Sequence, residues 1–354
     1  MGLKMKTTFF SKQDTQIGKG IAVVLMLFHH LFAFNNRIMF PVTSLLPRSP
    51  IDFLSILSQF GSICVSLFVL LSGIGIYKVS QKQNVTPWRI HHLKVLLFRY
   101  LLVFFICVPV GFVFFGKSFQ LGEFFSNLFL LSFSYNKEWW FLRIYVELLL
   151  FSPFLIHIIK KDPWKGTFLS LCLNLTGLYI RFRFPSNFLL KEISNLLLWQ
   201  FIFVLGCLLA AYEVYEKIGF FLEKKSWNKG WYSPILLLLC ILLRQYPLFP
   251  QKIKDPLLAP FFLYFSLDFV KTVHCDKLFA LLGKHSMNMW LVHTFFCYYY
   301  LPKLVFFPRN SLLIGIWLIF LSFTTSCLIS FVEFIILKGI KKCRKRKSLP
   351  SKPL

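Results

Sequence analysis

The stretch Ile17–Phe34, IGKGIAVVLMLFHHLFAF, decides how the rest of the chain is read. It is apolar enough to cross a membrane, yet it carries Lys19 near its start and the pair His29 and His30 in its second half. An ionisable side chain in hydrocarbon is costly, roughly 2.5–3.5 kcal/mol for a central lysine on insertion scales, and such groups mark functional sites. Lys19 and His30 stand eleven residues apart. At about 100° per residue, that interval makes three turns plus about 20°, so the two side chains share one helix face, separated by roughly 16 Å of rise. His29 falls about 80° off that face. Helix geometry aligns His30, not His29, with Lys19.

The composition generalises this reading. The 354 residues are 56% hydrophobic and 15% charged, with a mean hydropathy of +0.65. A soluble domain carries more charge. Apolar runs near the bilayer-spanning length recur along the chain and are continuous rather than alternating, which argues against a β-barrel. The expected fold is all-α: a polytopic integral membrane protein of about ten transmembrane helices with both termini cytoplasmic. The spans are placed at 17–34, 60–79, 95–115, from 138 through the following apolar run, and at 166–180, 193–211, 231–247, 256–272, 285–306 and 311–337. Residues 117–137 read as an interfacial or re-entrant piece. This topology puts 27 of the 40 Lys and Arg residues on the cytoplasmic side, as the positive-inside rule demands. Residues 1–337 form one integral membrane domain, and 338–354 a basic, disordered cytoplasmic tail lying against anionic headgroups. The first span, preceded by Lys4, Lys6 and Lys12, has no small-residue cleavage site after it and is expected to stay as an anchor in the cytoplasmic membrane.

The net charge of +26 sits in short loops and the tail, which speaks for lipid headgroups and against nucleic acid. The nine cysteines show no CxxC or zinc spacing and lie mostly in apolar segments, so neither a disulfide framework nor a metal site is expected. No internal repeat is visible, which weighs against an inverted-repeat transporter. His30 is either a buried histidine hydrogen-bonded between helices or, as a neutral imidazole, a base that takes the proton of a hydroxyl attacking an acyl group, with His29 as packing or support.

Lys19 through His30 resembles the opening of the membrane-bound acyltransferase-3 family, whose first span carries a basic residue, ten intervening residues and a histidine. Three further stretches agree in the same order. Ser66–Tyr77, SLFVLLSGIGIY, resembles the family's second span, with its Ser-Gly pair at Ser72 and Gly73. Trp140–Pro153, WFLRIYVELLLFSP, resembles its Trp-to-Pro block. Leu282–Phe296, LGKHSMNMWLVHTFF, is similar to its segment near the C-terminus. The resemblance implies an O-acyltransferase, acetyl-CoA dependent, with no bound cofactor. It would move an acyl group from a cytoplasmic acyl-CoA to a hydroxyl of a cell-surface or exported polysaccharide or its lipid-linked precursor. It makes His30 the catalytic base and places Lys19 where it meets the anionic donor.

The chain also departs from the family pattern. The Arg-x-Arg pair common after the second span is missing; that loop offers Arg89, Lys94 and Arg99, read either as phosphate contacts or as positive-inside anchors. Arg181 and Arg183 have the spacing but fall on the outer side in this topology. Where relatives carry paired acids, this chain has Tyr145 and Val146, with Glu147 one step later. Glu147 is either a catalytic partner facing His30 or the i,i+4 partner of Arg143. His293 is a helix-packing residue or part of an acceptor cavity together with His29, Ser72, Trp140 and Arg143. Trp139, Trp140 and Tyr298–Tyr300 form interface belts or, alternatively, stack on sugar rings. The rival from another class is a transporter or flippase of lipid-linked sugars, which would move substrate without consuming coenzyme A.

Overall fold

The computed structural model describes residues 10–38, 40–43, 53–224 and 229–347. Lys4, Lys6 and the end of the basic tail lie outside them. In chain order the helices are α1 (Lys12–Phe32), α2 (Phe53–Phe60), α3 (Cys64–Ser80), α4 (Val85–Phe114), α5 (Leu121–Leu128), α6 (Trp140–Lys161) and α7 (Pro163–Arg183). They continue with α8 (Phe188–Ala211), α9 (Val214–Lys224), α10 (Lys229–Gln245), α11 (Gln251–Thr272), α12 (Asp276–Thr294), α13 (Pro302–Phe306) and α14 (Ser311–Lys347). A π-helical turn, Phe295–Tyr299, extends α12. Among the described residues the sole β-type pairing is an isolated bridge, Thr43 to Asn310.

Six segments are long and apolar enough to cross a membrane: Lys12–Phe32, Leu54–Ser80, Val85–Phe114, Lys137–Lys161, Phe188–Ala211 and Ser311–Lys341. The remaining apolar stretches read from sequence fall in α7, α10, α11 and α12, which are helical but shorter or more polar. The outward faces carry large apolar side chains, such as Phe105, Phe154, Phe168 and Phe331. A water-facing protein would not leave so many uncovered. Two expectations change. The loop expected at 212–230 contains α9. The tail expected to be disordered from 338 continues α14 helically to Lys347.

Two helix pairs meet backbone to backbone at glycines. At the first, α1 meets α12: a Cβ on Gly20 would lie 1.9 Å from the Phe279 carbonyl oxygen, and one on Gly283 would lie 1.8 Å from that of Gln16. At the second, α3 meets α8: a Cβ on Gly73 would lie 2.1 Å from the Phe203 carbonyl oxygen, and one on Gly206 would lie 2.3 Å from that of Leu70. Small residues at membrane-helix interfaces allow such backbone contact. By contrast Gly75, also small and in the same helix, faces open space.

The N-terminus of α1 is fixed by a capping box. Asp14 N donates to Ser11 Oγ at 3.2 Å and Ser11 N to Asp14 Oδ2 at 2.7 Å, satisfying two otherwise orphaned amides. Lys271 of α11 then pairs with Asp14 at 2.6 Å. A second clamp joins α10 and α11 to the start of α3. The fully buried Arg244 meets Asp255 in a bidentate pair, at 2.7 and 3.1 Å, and also donates to the Phe60 carbonyl at 3.1 Å, while Ser66 Oγ donates to Asp255 at 2.9 Å. Every strong group in that clamp has a partner, the condition under which a buried ion pair is tolerated.

Candidate active site

Between α1, α3, α4, α6 and α12 lies a cavity of about 350 Å³. Its polar lining is unevenly distributed. Gln16 and Lys19 of α1, His92 and Arg99 of α4 and Lys284 of α12 stand at one end; His29 and His30 of α1 stand at the other, with Ser62 and Glu138 on flanking turns. Met26, Val65, Phe68, Phe141 and Met287 are among the side chains that make the wall between them apolar. The face that helix periodicity assigns to Lys19 and His30 is thus a cavity face. Pairing near Gly20 and Gly283 at one level and near His30 and His293 at another shows that α1 and α12 run parallel here.

His30 is buried, and three neighbours fix its ring. Tyr298, in the π-helical turn, donates its hydroxyl hydrogen to the His30 carbonyl oxygen, and the same phenol oxygen sits 3.3 Å from His30 Nδ1. The phenol has one hydrogen, already committed, so its oxygen is left to accept from Nδ1–H. That tautomer leaves the Nε2 lone pair free on the side of Glu138, whose Oε2 is 3.9 Å away. Behind the ring, His293 packs at 4.9 Å between centroids, itself held by Nδ1–H donating to the Trp290 carbonyl at 2.7 Å. Glu138 is in turn held by Arg37 at 3.3 Å, and the Arg37 guanidinium lies over the rings of Phe34 and Tyr298, 4.4 and 4.6 Å from their centroids. Positive charge next to aromatic faces is favourable and keeps Arg37 beside the carboxylate.

The Lys19 end is cationic. Lys19, Arg99 and Lys284 all line it, and the carboxylate paired there among the described residues is Glu333, which takes Arg99 Nε at 3.0 Å. No carboxylate lies within 4.0 Å of Lys19 among the described residues. Positive charge is in excess where the cavity meets exposed Lys284.

A sequence model of the acyltransferase domain matches residues 15–332. The chain belongs to the acyltransferase-3 family. No curated protein matches the chain, and no solved structure does. The match runs from α1 into α14 and so contains both ends of the cavity.

Within this acyltransferase, the residues named from sequence separate cleanly. His30, Lys19, Arg99, His29, Ser72 and Trp140 line the cavity. His29 donates Nδ1–H to the Ser58 carbonyl at 2.9 Å, so although off the Lys19 face it still borders the space. Ser72 Oγ donates to the Phe68 carbonyl at 2.8 Å and touches the Tyr145 hydroxyl at 3.1 Å. Tyr145 is itself a wall residue.

The other five do not line it. Glu147 does not face His30; its nearest cation is Arg143, one helical turn back at 4.0 Å, the alternative reading of that pair. Arg143 also forms an ion pair with Glu192 and lines a separate chamber. Arg89 donates to the Leu150 carbonyl at 3.0 Å across to α6, and Lys94 points out of the bundle, so neither is a cavity cation. His293 is a support behind His30 rather than a wall. Trp139 is no membrane-interface residue: it is fully buried, with Nε1–H donating to the Leu291 carbonyl at 3.0 Å. Nor do Tyr298–Tyr300 form a belt. Tyr299 accepts from Lys137 N at 3.1 Å and Tyr300 donates to the Cys107 carbonyl at 3.0 Å, so all three hydroxyls clamp backbone.

Sequence reasoning misses Glu138, Arg37 and Tyr298. Glu138 lies two residues before the Trp-to-Pro block, outside its apolar run, where a charge looks like a loop residue. Arg37 lies in a loop after the first span. Tyr298 is visible only as one of three aromatic neighbours, and the π turn that aims it has no simple sequence mark.

Proposed function

We propose that this membrane acyltransferase is an O-acetyltransferase that uses cytoplasmic acetyl-CoA to acylate a hydroxyl of a cell-surface or exported polysaccharide or its lipid-linked precursor. The observation carrying this reading is the single cavity that joins a cationic end at Lys19 to the oriented imidazole of His30. The topology that goes with it has ten spans, with α7, α10, α11 and α12 completing the bundle, both termini inside and the Lys19 end facing the cytoplasm of the cell membrane.

The donor's phosphates meet Lys19, Arg99 and Lys284 by charge attraction. The apolar section of the cavity suits the acyl-pantetheine arm of the donor, which threads it toward His30. His30 Nε2 takes the proton of the acceptor hydroxyl as that oxygen bonds to the thioester carbonyl carbon. The C–S bond breaks, and the thiolate recovers the proton from the imidazolium. Glu138, 3.9 Å from Nε2, stabilises the imidazolium while it exists. Tyr298 keeps Nδ1 protonated so that the lone pair stays on the reacting side.

Thiol release from acetyl-CoA by the purified full-length protein, with an acceptor glycan present, tests this. The expected result is glycan-dependent thiol release that falls at least about 10²-fold in His30→Ala, the usual size of a lost acid–base step. Glycan movement across a vesicle without thiol release would replace the reading with that of a transporter.

A further inference from the structure

A second chamber, about 500 Å³, adjoins the first at its histidine end: Ser62, Val65 and Trp140 line both. Its character is different. Five cations line it, Arg143, Arg181, Lys191, Arg244 and Lys252, against two carboxylates, Glu192 and Asp255. The carboxylates are already taken, Asp255 by Arg244 and Glu192 by Arg143. Arg181 donates to Asn195 Oδ1 at 3.2 Å, a neutral partner. Among the described residues no carboxylate lies within 4.0 Å of Arg181, Lys191 or Lys252. Two buried donors of the lining, Trp199 Nε1 and Arg143 Nε, also lack an acceptor. Burial, then the positive charge of Arg181 and Lys191, pushes Lys252 down to about 8. Three unneutralised cations crowd one wall, and two hydrogen-bond donors wait beside them. Phe133, Phe188, Trp140 and Trp199 supply ring faces around the same space.

We propose that this chamber receives the acceptor and selects an acidic saccharide, one whose carboxylate or phosphate engages Arg181, Lys191 and Lys252 while its sugar lies against Trp140 and Trp199. This rests on the acyltransferase reading and narrows it to an anionic acceptor. Cations supply the attraction and aromatic faces the stacking, the combination a charged sugar needs, and Trp140, shared with the His30 cavity, is where the sugar meets the base. A fully apolar lipid tail would gain nothing from such a wall.

The test uses the full-length protein in phosphatidylcholine nanodiscs, titrated with glucuronate, glucose 1-phosphate and neutral glucose by ligand-observed NMR. Both anions are expected to bind at least tenfold more tightly than glucose. Lys191→Gln/Lys252→Gln is expected to remove that preference while acetyl-CoA binding stays within twofold. Lys191→Gln alone, on an exposed side chain, is expected to weaken both anions at least threefold, which keeps the test decisive if the double variant fails to fold. Equal affinity for glucose and glucuronate, or anion binding unchanged in Lys191→Gln, overturns the proposal. So does loss of sugar binding when phosphatidylglycerol replaces phosphatidylcholine, which would make the chamber a lipid-headgroup site. None of these readouts needs turnover. Thiol release with a neutral glycan as good as with an acidic one would sink the anion selectivity and leave the acyltransferase standing; anion binding without any thiol release would do the reverse.

Discussion

The two chambers meet at Ser62, Val65 and Trp140 and are built on opposite plans. The His30 cavity is an apolar passage with charge confined to its ends. The Arg181 chamber carries charge along its wall and stacks it among aromatic rings. A passage that must guide a thioester gains from few polar contacts, because only the end groups need to be recognised. A chamber that must hold one particular sugar gains from many. In this reading each chamber serves one substrate, and the shared Trp140 is where the two reactants come together. The comparison can be broken at either end.

The largest effect lies at the histidine end of the His30 cavity. Glu138→Gln keeps the shape but removes the negative charge 3.9 Å from His30 Nε2. It is expected to lower kcat about 10–100-fold, in the range of a lost electrostatic contact to a developing charge, with little change in KM for acetyl-CoA. Glu147→Gln, on the same stretch of chain but paired with Arg143, is expected to stay within about twofold of the parent. Steady-state thiol release on both variants decides between them. If Glu147→Gln loses more activity than Glu138→Gln, the carboxylate assignment is wrong and the passage ends elsewhere.

An intermediate effect separates the ends. Lys19→Gln removes a cation from the donor mouth and is expected to raise KM for acetyl-CoA about fivefold to tenfold, about 1 kcal/mol, with kcat nearly kept, since the phosphates are bound equally in ground and transition states. The acceptor KM should not move. A Lys19→Gln variant whose acceptor KM rises instead would place the donor in the wrong chamber.

How far each chamber can be read from the sequence follows from where it gets its residues. Lys19, His29 and His30 interrupt a single apolar helix, so periodicity alone places Lys19 and His30 on a shared face. Ser72 and Trp140 come with the family resemblance. Arg99 is reachable as one of a few loop-side cations, but nothing in the sequence separates it from Arg89 and Lys94. Only the packed bundle shows that Arg99 turns inward to Glu333, Arg89 reaches back to α6 and Lys94 turns out. The second chamber is legible in the sequence only through Trp140 and Arg143, both named for an acceptor cavity. Its other cations sit near the ends of α7, α8, α10 and α11, where a basic residue reads as an ordinary loop charge. The tight glycine crossings are half legible: Gly73 stands out as small, but so does Gly75, and only the partner backbone distinguishes the one at 2.1 Å from the one in open space. The spans themselves are legible because burial in lipid imposes hydrophobicity along a whole helix, whereas the π turn at Phe295–Tyr299 depends on packing that no local pattern encodes.

The smallest effect is the most specific to the second chamber, and it is a matter of pH. Lys252 ordinarily would hold its proton to about pH 10, but burial and its cationic neighbours bring it down to about 8. The groups facing it are Arg181 of α7, Lys191 and Glu192 of α8, Arg143 of α6, Arg244 of α10 and Asp255 of its own helix, α11. The sign then follows. Below about 8 Lys252 is cationic and contributes to holding an anion; as pH rises through that value the contribution is lost. A bound carboxylate shifts the midpoint upward, because it favours the charged lysine. Glucuronate keeps a constant charge across this range, so its affinity is expected to fall about threefold between roughly pH 7 and pH 9, with glucose binding unchanged. Lys252→Arg keeps its proton throughout and should give a flat profile at the high-affinity level. A flat profile in the parent protein, or a fall of equal size in Lys252→Arg, would mean that Lys252 does not touch the anion, and the specificity assigned to the chamber would then rest on Arg181 and Lys191 alone.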